Sequence, residues 1–86
     1  MQIKINGVYK HFKGDLYIVL GIATHSETAQ KHVVYRALYG DNELYIRPLE
    51  MFLEKVDKLK YPNATQEYRF ELQNIKSLNK KIWIFY

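Results

Sequence analysis

Turn-forming residues recur along this chain at short, even intervals, and that spacing leaves no room for long helices. Asn6-Gly7, Lys13-Gly14-Asp15 and Gly40-Asp41-Asn42 are reversals of the kind that join antiparallel strands. Tyr61-Pro62-Asn63-Ala64 reads as a linker. Between these marks lie segments rich in β-branched and aromatic residues: 8–12, 16–24, 32–39 and 43–47. The longest of them, Leu16 to Thr24, places Leu16, Ile18, Leu20 and Ile22 at even positions, which predicts that the even face is the buried one. Gly21 within it predicts a bulge or bend of the kind that lets a small sheet curl.

Pro48 suits the first position of a helical turn. Leu49, Phe52, Leu53 and Val56 follow at i, i+3, i+4 and i+7, an apolar stripe that suits a short helix packed on a sheet, with a strand over 52–56 as the alternative. Tyr68, Phe70 and Leu72 alternate as a strand does, while Tyr68, Leu72, Ile75 and Leu78 fit a helix equally well. The chain ends on Ile82-Trp83-Ile84-Phe85-Tyr86, a wholly apolar β-former. The expected fold is therefore all-β: a small SH3-like antiparallel barrel with one short helical turn and an added C-terminal strand. That last strand has open backbone donors and acceptors, so pairing with a second copy in a homodimer is the expectation, with pairing to Tyr68–Leu72 of its own chain as the alternative.

Eighty-six residues suffice for one domain with one core. Hydrophobic residues make up 48% of them and aromatics 15%, which excludes intrinsic disorder. No apolar run reaches the roughly 20 residues of a membrane-spanning helix, and the first residues lack the apolar stretch of a signal peptide. With no cysteine there are no disulfides and no thiolate metal sites, and the cytoplasm is the expected compartment. The net charge of +4 is spread over the chain rather than gathered in an arm, so it permits an anionic ligand without requiring duplex DNA.

The chemistry-bearing residues point to binding rather than catalysis. His11, His25 and His32 have no metal-ligand spacing, so neither a metal nor another cofactor is expected. His25, Ser26 and Glu27 are sequence neighbours, a poor start for a nucleophilic triad assembled from separate segments. Arginine interleaved with tyrosine is more informative. A hairpin around Asp41-Asn42 brings Arg36 and Arg47 to one outward side beside Tyr35 and Tyr45. Guanidinium groups fork onto phosphate oxygens and tyrosine rings stack on bases. The competing reading is that both arginines merely pair with Asp41, Glu43 or Glu50 on a solvated surface. The polar loop His25-Ser26-Glu27-Thr28 adds hydroxyls and amides of the kind that cradle an anion, and His11 adds a donor.

Several blocks together resemble a known family: His11-Phe12-Lys13-Gly14, Tyr17, Gly21-Ile22-Ala23, His25-Ser26-Glu27-Thr28, Val33-Val34-Tyr35-Arg36, Tyr39-Gly40-Asp41, Arg47-Pro48-Leu49-Glu50-Met51-Phe52 and Tyr68-Arg69-Phe70. The sequence is similar over residues 6–71 to the bacterial and phage family known as domain of unknown function 1653. Tyr45 stands where tryptophan is usual, and residues 73–86 form an extension beyond the resemblance. The resemblance implies an SH3-like barrel and puts His11, His25, Ser26, Glu27, Thr28, Arg36 and Arg47 within the motif blocks. It implies no reaction, cofactor or substrate. The resulting expectation is a non-catalytic module for a small phosphorylated ligand, a nucleotide, with a role in sequestering a nucleotide signal. The alternatives are an RNA- or single-strand-binding barrel and a protein-interaction module.

Overall fold

The computed structural model describes residues 2–74. The expected C-terminal strand at 82–86, the dimer built on it and most of the 73–86 extension lie outside those residues. Five antiparallel strands form one sheet in the order β4-β3-β2-β1-β5, with β1 at Val8–His11, β2 at Leu16–Thr24, β3 at Lys31–Ala37, β4 at Leu44–Pro48 and β5 at Phe70–Leu72. A single helical turn, α1 (Leu49–Phe52), follows β4. Phe70–Leu72 is thus strand, which settles the competition with helical phasing there.

The turns form where their chemistry allows. Gly14 adopts φ +113° between β1 and β2, a region closed to side-chain-bearing residues, and its N–H bonds the His11 carbonyl at 2.8 Å. Gly7 is needed for a different reason: a Cβ there would lie 2.9 Å from Leu72 and from the Lys4 carbonyl, so β5 arrives only over a bare backbone. Pro48 ends β4 at ψ 136° and caps the helix rather than opening it, because its ψ is still extended. The helical stripe is cut short after Phe52, with Val56 buried beyond the turn.

The sheet curls without closing. No hydrogen bonds join β4 to β5, so the expected closed barrel is an open sheet among the described residues. Its two edges are linked by the segment that follows α1. Residues 54–56 pair with 67–69 through Val56 N–H to Glu67 O at 2.8 Å, Arg69 N–H to Glu54 O at 2.9 Å and a single bridge between Lys55 and Tyr68.

Up to its bulge, the buried face of β2 is the reverse of the expected one. Val19 is fully buried, whereas Leu16, Leu20 and Ile22 are 37%, 38% and 42% exposed. Tyr17 and Val19 look inward across from Tyr9 and Tyr35. Between Val19 and Gly21 the register slips by one residue, the bulge expected at Gly21, and Ile22 then stands opposite Val33 on the inner side. Alternation failed here for a physical reason. Both faces of β2 are apolar, and only the element that covers one of them decides which becomes the core. That cover is α1 and β5, which bring Phe52 and Phe70 together as a stack, with ring centroids 4.2 Å apart and planes 6° from parallel. Tyr9, Val19, Val33 and Tyr35 complete the core around them.

The outer face keeps Leu16, Leu20, Leu44 and Ile46 in contact with water. Phe52→Ala should therefore cost about 3–5 kcal/mol through the cavity it leaves. Leu20→Ala should cost less than about 1 kcal/mol, as surface changes do. The two midpoints in urea unfolding measure that contrast.

Candidate functional site

At the open end of the sheet the inner face is walled with rings. Tyr17, half-buried on β2, lies 5.4 Å from Tyr35, 5.7 Å from Phe70 and 6.3 Å from Tyr45, each approaching edge to face. Its hydroxyl meets that of Tyr39 at 2.7 Å. Burial and this bond push the Tyr17 phenol up, so it remains neutral, and either hydroxyl of the pair can donate to the other. Tyr35 is only 4% exposed and serves as floor rather than as a stacking surface. Tyr45, the next ring outward at 5.6 Å, is 38% exposed.

Arg47 stands opposite Val33, on the inner side of β4. Its guanidinium lies 5.5 Å from the centre of the Phe70 ring, and its Nε donates to the Tyr35 hydroxyl at 3.3 Å. Among the described residues it has no carboxylate partner. Among the described residues the ion pairs are Lys55 with Glu67 and Arg69 with Glu54, so the surface pairings expected of the arginines with Asp41, Glu43 or Glu50 do not occur.

His11 closes the ring wall, 4.9 Å from Phe70 and 6.4 Å from Tyr17. Its Nδ1 accepts the Lys13 N–H at 3.1 Å, which puts the proton of the neutral imidazole on Nε2. Its pKa is lowered by burial first, then by Arg47, Lys13 and Arg69, with Asp15 opposing. Arg47 and Lys13 are in no ion pair among the described residues, while Arg69 is held by Glu54, and the balance leaves this corner locally positive. The groups gathered here can stack, donate and attract negative charge. Among the described residues no cluster of three metal-ligating side chains exists.

The structure thus brings together His11, Tyr35, Tyr45 and Arg47, and separates the rest. Arg36 pairs with Leu44 and Ile18 on the outer face, where its Nη1 donates to the Asn42 carbonyl at 3.0 Å. The two arginines cannot share a side, because they are an odd number of residues apart on the two arms of the hairpin and the register sets Arg36 against Leu44 and Arg47 against Val33. The loop His25-Ser26-Glu27-Thr28 caps the β2–β3 hairpin. Tyr17 and Thr24 are seven steps apart along β2, about 23 Å at roughly 3.3 Å per residue. The loop's amides are also engaged: His25 Nδ1 accepts the N–H groups of Glu27 at 3.1 Å and Thr28 at 3.3 Å, and Thr28 Oγ1 accepts that of Gln30 at 3.2 Å. Tyr17, Tyr39 and Phe70 belong to the site although side-chain chemistry alone did not single them out. Their signal is membership of the family-like blocks.

The family described as Protein of unknown function (DUF1653) matches residues 7–72. Among solved structures, a crystal structure of a protein belonging to DUF1653 from Bordetella bronchiseptica is similar, with a TM-score of 0.70 and 34% identity over 92% of this chain and 99% of that one. No curated protein matches the chain.

Because folding lowers the His11 pKa, the unfolded chain takes up the proton first on acidification. The stability that neutral His11 supplies is complete above about pH 6.5 and is lost as the pH falls towards its lower folded-state value. Unfolding free energy measured in urea should therefore fall between about pH 7 and pH 5, and His11→Gln should flatten that fall.

Proposed function

This chain belongs to the DUF1653 family of proteins of unknown function, and for it we propose a non-catalytic role: binding a small phosphorylated ligand, a nucleotide, on the ring-walled inner face. The observation that carries the proposal is the Arg47 guanidinium, without a carboxylate partner among the described residues and set beside the exposed Tyr45 ring in a corner where cations outnumber anions. A lone planar cation is suited to a phosphate, which accepts two parallel N–H bonds from it. Tyr45 offers the plane on which a base stacks, and His11 Nε2–H and the Tyr17–Tyr39 hydroxyl pair offer donors at the rim. Among the described residues no nucleophile of this face contacts a base, and retention rather than turnover suits sequestering a nucleotide signal. A chain without cysteine is suited to the reducing cytoplasm.

Titration calorimetry with AMP, GMP, CMP and UMP at physiological salt tests this. Binding of at least one is expected. Arg47→Ala should weaken it by about 2–5 kcal/mol, the range for truncating one partner of a desolvated charge contact. Arg36→Ala, on the other face, should leave affinity unchanged. Tight binding of an RNA of about 20 nucleotides that falls steeply with salt would replace the nucleotide by an extended backbone.

A further inference from the structure

A second ring-and-cation surface adjoins the first. Phe12, just beyond β1, and Tyr61 meet edge to face with centroids 4.8 Å apart, and with Lys60, Pro62, Asn63 and Ala64 they line a groove of about 380 Å³. Two ammonium groups stand over these rings: Lys13 Nζ is 5.4 Å from the Tyr61 centroid and 5.9 Å from that of Phe12, and Lys60 Nζ is 5.5 Å from Tyr61. Neither lysine is in an ion pair among the described residues. The other charges of this loop are used within it. Asp57 Oδ1 accepts the N–H groups of Leu59 and Lys60, and Lys58 Nζ donates to the carbonyls of Ala64 and Gln66 at 2.7 and 2.8 Å. The groove is thus held in shape by Asp57 and Lys58 while Lys13 and Lys60 remain available to a ligand.

His11 joins the two surfaces. Its ring lies 4.5 Å from Phe12 on one side and 6.4 Å from Tyr17 on the other. Tyr45, Tyr17, His11, Phe12 and Tyr61 therefore form one continuous run, each ring within 6.4 Å of the next, with Arg47 over Phe70 beside His11 and with Lys13 and Lys60 over Tyr61. A mononucleotide carries one base and covers one end of this run. We propose that the groove at Phe12 and Tyr61 is a second base subsite, so that the ligand of this face is a dinucleotide whose linking phosphate lies between Arg47 and Lys13. The proposal rests on the nucleotide reading above. Stacking on Tyr61 tolerates any base because every base has a π-face, and the flanking cations attract the backbone.

Calorimetry with AMP and with the dinucleotide pApA at one salt concentration separates the two ideas. Wild-type protein is expected to bind pApA about tenfold more tightly than AMP, the gain of one further stacked base. Tyr61→Ala should bring pApA down to the affinity of AMP while leaving AMP itself unchanged. Lys60→Gln, at an exposed position, should remove part of the same gain without disturbing the fold. Equal affinity for pApA and AMP in the wild type, with AMP still lost on Arg47→Ala, overturns the second subsite and leaves the first in place. An equal loss of both ligands on Tyr61→Ala, with Lys60→Gln silent, likewise overturns it. Failure of both ligands to bind overturns the second subsite, and failure of GMP, CMP and UMP as well overturns the nucleotide reading along with it.

Discussion

The stack of Phe52 on Phe70 is the contact on which the rest of the protein depends. An open five-stranded sheet of this size leaves its concave side to water unless something crosses it, and among the described residues a four-residue helix and a three-residue strand do so. Their two phenylalanines meet at the centre of that side and bury each other against Tyr9 and Tyr35. Because Phe52 follows β4 and Phe70 sits in β5, the stack also ties the two open edges of the sheet together, reinforced by the pairing of 54–56 with 67–69. Hydrophobic burial here does the work that hydrogen bonding does in a closed barrel.

A core built from tyrosine has a consequence for function. Each phenol buries a ring and still needs a polar partner for its hydroxyl, so the hydroxyls collect where the core meets water. Tyr9 accepts the Lys4 N–H, Tyr35 accepts from Arg47, and Tyr17 and Tyr39 bond each other. The rim of the core is thereby polar, ringed and bordered by cations, without any residue being spared from packing. Fold and candidate site share the same side chains. Tyr35 is at once a core residue and the anchor that orients Arg47.

The outer face has the opposite character. Leu16, Leu20, Leu44 and Ile46 lie there with Arg36 among them, and no described element covers them. Two apolar faces on one strand are what misled the alternation argument at β2. A period of two says that successive residues part company; it carries no information about which side the rest of the chain will cover. The bulge between Val19 and Gly21 then exchanges the faces halfway along.

The first four strands, the turns at Asn6-Gly7, Lys13-Gly14-Asp15 and Gly40-Asp41-Asn42, the bulge or bend at Gly21 and the short helix after Pro48 were legible in the amino-acid sequence, because each follows from local backbone chemistry, whereas β5 was left between strand and helix. So were His11, Tyr45 and Arg47 as residues able to stack, donate or hold an anion, since that ability belongs to the side chain. Tertiary structure alone decided which of the candidates meet. Arg36 and Arg47 look alike in the sequence, yet the register of β3 against β4 sends them to opposite faces. His25, Ser26, Glu27 and Thr28 look like an anion cradle, yet the hairpin carries them to the far end of the sheet and folds their amides onto His25. Which side of β2 is core was settled only when Phe52 and Phe70 met, because burial depends on what covers a surface, and that cover comes from residues more than thirty positions away along the chain.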